Sequence, residues 1–252
     1  MLLELLLLQL LLLFLENSDV FNSAAHYWPL NRRFGIMDVV TNATVTKHAK
    51  GDNIFFKGPG LGFLHSAGNA WIDLGNFTGA CLAEPGLCNQ PLTVFLWLKY
   101  SKKKNRRYLI GTSSHLTYNR GFTIFKESDR IANGTIVVRV NDGQREWNGS
   151  LSLPANVWSH VAFTWDGKSG LALFQNCRQK ALVSEFTYQT AARNNRSNVL
   201  EHHLTLFGAQ KSSPNAGVKA SFEDLTVLYK KMAAEELREI CHSKLGQYDT
   251  VE

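Results

Sequence analysis

Past its first fifteen residues, this 252-residue sequence has no apolar run approaching the roughly 20 residues that a helix needs to cross a bilayer. The chain is therefore expected to be soluble once any leader is removed. Internal repeats and low-complexity linkers are also missing, which favours one module. No Gly-X-Ser-X-Gly elbow, no His-Glu-X-X-His pair and no phosphate loop occurs, so the familiar signatures of hydrolases, zinc proteases and nucleotide enzymes are absent. Acidic residues are in the minority, 21 against 27 lysines and arginines. With 44% hydrophobic and 11% aromatic residues, the chain has enough apolar side chain for one large core.

What is present begins with leucine. Leu2 to Leu15 is almost unbroken leucine, followed by the polar, small-residue run Glu16 to Ala25. This reads as a secretory signal peptide over residues 1–25, with cleavage between residues 18 and 25. Ser23 and Ala25 stand three and one positions before a cut that would leave His26 first. Glu4 near the start, with no basic residue ahead of it, departs from the usual pattern. A membrane anchor is the rival reading, which the shortness of the run opposes. Removing residues 1–25 takes away Glu4, Glu16 and Asp19 but no cation, so the secreted product is more basic than the +6 of the whole chain.

The rest reads as strands. In Val157 to Asn176 (VWSHVAFTWDGKSGLALFQN), Val161, Phe163 and Trp165 alternate with His160, Ala162 and Thr164. A second arm carries Leu171, Leu173 and Phe174, and Asp166 to Gly170 supplies the turn of a β-hairpin. Further strands are expected over Ala70–Leu74, Leu92–Tyr100, Arg107–Gly111, Phe122–Lys126, Ile136–Val140, Leu204–Phe207 and Phe222–Tyr229. Leu92–Tyr100 is apolar on both faces, as a strand covered on both sides would be, whereas Arg139 marks a wetter face. One helix is expected, Met232–Leu245, with Leu237, Ile240, Cys241 and Leu245 at helical spacing. Many short antiparallel strands with one late helix predict an all-β, two-sheet antiparallel jelly-roll sandwich with a C-terminal helix.

Four stretches carry a family resemblance: Ala25 to Asn31 (AHYWPLN), Trp71 to Phe77 (WIDLGNF), the hairpin WSHVAFTWDG...LALFQN, and the closing FEDLTVLYKKMAAEEL. Together they resemble a concanavalin A-like jelly roll of the laminin G and pentraxin type, over residues 26–245, with 246–252 as a short tail. Within that group the chain most resembles the pentraxin-like N-terminal module of adhesion G-protein-coupled receptors. That module has a similar Tyr-Trp-Pro-Leu opening and a short cysteine-bounded loop, here Cys81 to Cys88. The end at Glu252 is compatible with a secreted single-module protein or with part of a larger receptor. One departure is Cys177, where the turn after the arm's asparagine commonly has glycine.

Four cysteines allow three pairings. Pro85 and Gly86 can turn the loop between Cys81 and Cys88, so these two are paired. That leaves Cys177 to pair with Cys241, with free buried thiols as the alternative. A bond between them would span 64 positions and contribute about 4 kcal/mol on the chain-entropy model. Five Asn-X-Ser/Thr sequons mark candidate glycosylation sites at Asn42, Asn76, Asn133, Asn148 and Asn195. Asn133 and Asn148 are expected in glycine-containing turns, and Asn76 lies beside a strand. The run Lys102, Lys103, Lys104, Asn105, Arg106, Arg107 is either a polyanion-binding segment or a solvated hairpin tip.

Histidines and acids point to no metal. His160 is expected to pack or hydrogen-bond within its strand, and His202 and His203, being adjacent, would face opposite sides. Jelly rolls of this type often bind calcium, and Asp38, Asp52, Asp73, Glu223 and Asp224 are the available carboxylates. They are scattered, without the dense oxygen spacing calcium needs, so neither a metal nor another cofactor is expected. A glycan-cleaving enzyme would require two carboxyl groups flanking a bond, but Glu223 and Asp224 are adjacent and hence expected on opposite strand faces. The expected function is therefore a secreted, noncatalytic adhesion or extracellular-matrix module recognising a glycan, polyanion or protein. A glycan-cleaving enzyme and a fragment of an adhesion-receptor ectodomain are the alternatives.

Overall fold

A computed structural model describes residues 23–43, 46–49, 53–68, 70–101, 107–112, 120–127, 134–188, 202–208 and 218–248. The strands are β1 (His26–Trp28), β2 (Thr46–Ala49), β3 (Ile54–Lys57), β4 (Phe63–Ala67), β5 (Ala70–Asn76), β6 (Leu92–Tyr100), β7 (Arg107–Gly111) and β8 (Gly121–Lys126). They continue as β9 (Thr135–Asn141), β10 (Arg145–Ser152), β11 (Ser159–Asp166), β12 (Gly170–Gln175), β13 (Arg178–Val183), β14 (Thr187–Tyr188), β15 (His203–Leu206) and β16 (Lys219–Leu228). Helix α1 (Ala234–Tyr248) follows. Two antiparallel sheets face each other. The first runs β13-β12-β11-β6-β16-β4-β3, with β1 also paired to β16, and the second runs β14-β10-β9-β8-β7-β15-β5-β2. This is the expected sandwich. No described helix is long and apolar enough to cross a membrane.

The alternation of each strand explains the layers. On β6, Leu92, Val94, Leu96 and Leu98 point between the sheets, where they join Val161 and Phe163 of β11 and Ile124, Val138 and Trp147 of the second sheet. Phe95 and Trp97 point the other way, onto α1: Phe95 clusters with Leu237 and Ile240, and Trp97 with Trp158 and the Cys177–Cys241 pair. The helix therefore covers the outer face of β6. His160, Ala162 and Thr164, the side of β11 that alternation alone assigns to solvent, are buried too, with Ala162 clustered against Leu237 and Ile240 of the helix. Each large apolar side chain removed from water in this way contributes about 1.5–3 kcal/mol.

The helix starts two residues later than its apolar spacing predicts and continues to Tyr248. Met232 is already committed, its N–H donating to Thr93 Oγ1 at 3.2 Å. Glu236 Oε2 accepts the N–H of Ala233 at 2.6 Å and so caps the first turn.

Both turns of the β11–β12–β13 meander have a local cause. Asp166 accepts from the Lys168 N–H and the Ser169 hydroxyl, and Gly170 closes the first turn at φ 90°. The second is a two-residue loop between Gln175 and Arg178, with Asn176 at φ 45° and Cys177 at φ 65°. Positive φ at both positions is the hairpin geometry that suits Asn-Gly. Cysteine at the second position is held there by its bond to Cys241.

Several strands escape the sequence reading. In β10, REWNGSLS, only Trp147 and Leu151 show the inward period, because the residue between them is Gly149, whose backbone lies against Leu173. In β13, RQKALV, the residues are largely exposed, as an edge strand permits. Asn148 lies mid-strand in β10, opposite Arg139 of β9, and not in a turn as expected. The glycine that suggested a turn is a packing glycine.

Candidate binding groove

β16 changes partners halfway along its length. Lys219 to Phe222 pair with β4, whereas Leu225 to Val227 pair with β1. Between these two pairings the register against β6 slips from Glu223 to Thr226, and Asp224 sits at φ 52°. A non-glycine residue in that region marks a bulge that the surroundings must hold in place. The opening between β1 and β4 is a groove of about 500 Å³, with Glu223 and Asp224 both in its lining. This corrects the expectation that adjacent acids would face opposite ways: the bulge breaks the alternation on which that expectation rested.

Asp224 is buried, at 3% exposure, and both its oxygens are engaged. Oδ1 accepts the Tyr27 hydroxyl at 2.6 Å, and Oδ2 pairs with the Lys244 ammonium of α1. Burial, reinforced by the Asp224 carboxylate and the Glu223 charge, pushes the Tyr27 hydroxyl far above the ordinary phenol range. It stays protonated as a donor. Pro29, Pro59, Phe63 and Trp158 supply apolar wall, with the Phe63 and Trp158 rings edge to face at 4.9 Å. Phe34 and Leu61 form an exposed rim. Arg32 fixes the loop carrying Pro59 and Leu61 through the carbonyls of Gly58 (2.7 Å) and Gly60 (2.9 Å). Sequence reasoning had Tyr27, Trp158 and Lys244 only within family motifs or outside any site. Chain pairing, not spacing, brings them together.

The other sequence-named acids are dispersed. Asp38 accepts from His26 Nδ1 (2.8 Å), Tyr27 N (3.0 Å), Val40 N (3.1 Å) and Thr41 Oγ1 (2.6 Å). Burial opposes its ionisation, but these bonds, His26 foremost, outweigh it and hold the carboxyl below the usual range. Asp73 pairs with His203 Nδ1 at 2.7 Å on the outer face of the second sheet. The backbone of neighbouring His202 is held by Thr78 Oγ1 at 2.8 Å. Asp52 lies outside the described residues. Among those described, no three His, Cys, Asp or Glu side chains gather at a metal-sized site.

His160 is buried beside Phe95 and Trp97, and neither ring nitrogen has a hydrogen-bond partner among the described residues. Burial, with a smaller push from Lys244, lowers its pKa to about 3. Cys81 is bonded to Cys88 and Cys177 to Cys241, with Cα separations of 4.7 and 5.3 Å. Asn42, Asn76 and Asn148 are exposed; Asn76 Oδ1 accepts from both the N–H and the hydroxyl of Thr78, its own sequon threonine. Asn133 and Asn195 lie outside the described residues, as do Lys102, Lys103, Lys104 and Arg106. The strands on either side, β6 and β7, belong to different sheets and do not pair with each other.

Comparison with known proteins supplies the family. The laminin G profile of the concanavalin A-like lectin/glucanases superfamily matches residues 74–238. The human adhesion G-protein coupled receptor D1 is 20% identical over 231 residues, covering 91% of this chain and 25% of the receptor. The receptor of Bos taurus is 25% identical over 194 residues, covering 63% of this chain and 20% of the receptor. The chain thus spans about a quarter or less of these relatives. Among solved structures, the binding domain of botulinum neurotoxin serotype D superposes with a TM-score of 0.63 at 14% identity, covering 90% of this chain and 52% of that one. The serotype D ligand-binding domain in complex with N-acetylneuraminic acid gives 0.61 at 14% identity, with 91% and 53% coverage. A serotype DC binding domain in complex with rat synaptotagmin II gives 0.61 at 12%, with 88% and 52% coverage. At these identities the structural likeness speaks for the fold alone. With a profile match over more than half its length, the chain belongs to the concanavalin A-like lectin/glucanases superfamily, as a laminin G-like domain.

Proposed function

We propose that this domain is a secreted, noncatalytic recognition module that binds an extracellular glycan, polyanion or protein. The observation that carries the reading is the state of Asp224. A glycan-cleaving site needs one carboxyl free to donate a proton and a second free to attack or to activate water. In the groove, Asp224 has one oxygen on Tyr27 and the other on Lys244. It is a structural tie, so Asp224 is not available as the second carboxyl that such chemistry would need.

Several features support an extracellular setting: the leucine-rich leader, two disulfides of the kind that persist in oxidising compartments, and five sequons. Adhesion receptors among the relatives support binding as the role, and the similar folds solved with a sialic acid and with a protein partner make glycans and proteins the ligand classes to test. Lys102, Lys103, Lys104, Arg106 and Arg107 add a polyanion to those classes. Because the chain matches a quarter of the receptor, the same binding role holds if it is one domain of a larger ectodomain. The test is a glycan and extracellular-matrix array probed with the purified glycosylated protein. Saturable binding to one class supports the module; no binding to any class contradicts it.

A further inference from the structure

The outer face of the first sheet is only partly covered by α1. On the uncovered side, antiparallel register sets Phe55, His65, Ser221 and Lys99 in one row across β3, β4, β16 and β6. Alternation places Lys57, two residues from Phe55, and Lys219, two residues from Ser221, on the same face. Three ammonium groups from three strands therefore surround one imidazole. None of the three lysines enters an ion pair among the described residues, although elsewhere Asp224 and Glu236 pair with the lysines beside them. Phe55 is 42% exposed, and its ring lies 5.2 Å from that of His65. With strands about 4.8 Å apart, the row extends about 14 Å.

We propose that this face, with Lys57, Lys99 and Lys219 as its charged groups, His65 among them and Phe55 as a stacking surface, is a binding site for a sulfated linear glycan. The inference rests on the reading of the domain as a recognition module and names a ligand class and a place for it. Ammonium groups spread over three strands suit an extended polyanion better than a single phosphate, which a compact cradle of donors would hold. An open sheet face with an exposed ring suits a flat sugar that stacks.

The electrostatics offer a local reporter. Burial first, then Lys57, Lys219 and Lys99, push the His65 pKa down to about 4, and Ser221 Oγ lies 2.8 Å from its Nδ1. Polyanion charge laid over the lysines offsets their repulsion, so a bound ligand raises the His65 pKa.

The experiment titrates a heparin-derived oligosaccharide into the intact protein, with the histidine proton resonances followed by NMR across pH. Affinity is expected to fall steeply with salt. The triple variant Lys57→Gln, Lys99→Gln, Lys219→Gln, whose surface changes leave the core untouched, is expected to bind at least tenfold more weakly. The His65 pKa is expected to rise by one unit or more at saturation. An unchanged affinity in the triple variant, or an unmoved His65 pKa, overturns the site. Loss of binding only on neutralising Lys102 to Arg107 overturns it too and assigns the ligand to that segment. Equal or tighter binding of polyglutamate overturns the glycan assignment. If no sulfated oligosaccharide binds while another ligand on the array does, the inference falls and the recognition module stands.

Discussion

The hydroxyl of Tyr27 meets the carboxylate of Asp224 at 2.6 Å, joining two residues 197 positions apart. The bond ties the first strand to the bulge of β16, and Lys244 extends the tie to the helix. The bulge, the groove and the seating of the helix therefore depend on one buried side chain. Asparagine tolerates φ near 52° and can still accept from Tyr27, whereas alanine does neither. Asp224→Asn is expected to cost about 1–2 kcal/mol and Asp224→Ala about 3 kcal/mol or more, read from urea midpoints. Equal losses would mean that the backbone conformation and the Tyr27 bond contribute nothing.

Acid sensitivity follows from His160. Its folded-state pKa, about 3, lies below the unfolded value near 6.5, so between these limits the unfolded chain binds a proton that the folded chain refuses. Stability is fully present above about pH 6.5 and falls as the pH drops, by up to about 1.4 kcal/mol per unit. His65 contributes in the same direction, more weakly because it is less buried. His160→Phe, which suits the surroundings of Phe95 and Trp97, is expected to flatten most of the decline between pH 6 and 4. Denaturant unfolding across pH measures it, and an unaltered slope would contradict the assignment.

Cys177 occupies a position whose backbone suits glycine, at φ 65°. Losing its bond to Cys241 is expected to cost about 4 kcal/mol for a loop of this length. Part of that loss is recoverable. The pair Cys177→Gly, Cys241→Ala is expected to exceed Cys177→Ala, Cys241→Ala by about 1 kcal/mol, because only glycine adopts the turn without strain. Thermal unfolding of the two double variants compares them directly, and identical midpoints would show that the turn carries no strain.

How much of this was legible in the sequence depends on alternation. Leu92–Tyr100 announced a strand covered twice, and both covers exist, the second sheet and α1. Arg139 announced the wetter face of β9. Where a strand departs from alternation the reading failed: Gly149 interrupts the inward pattern of β10, and the bulge at Asp224 sends two adjacent acids to one groove. The row from Phe55 to Lys99 was invisible for another reason. Its four members come from four separate segments and meet only through register, which no single stretch of sequence encodes.

Gly149 tests that account in the core. A Cβ there would meet Leu173 Cδ1 at 2.6 Å, with Val183 also close. Gly149→Val is expected to destabilise by about 1–3 kcal/mol through overpacking while leaving the Asn148 sequon intact. Stability within error of wild type would show that the sheets separate more easily than this packing implies.

The central claim, recognition without chemistry, is tested most directly by incubating the protein with the tightest ligand from the array and following binding and cleavage products in the same sample. The account predicts saturable binding, with the glycan recovered intact and no difference in products between wild type and Glu223→Gln. Turnover that Glu223→Gln abolishes would contradict it.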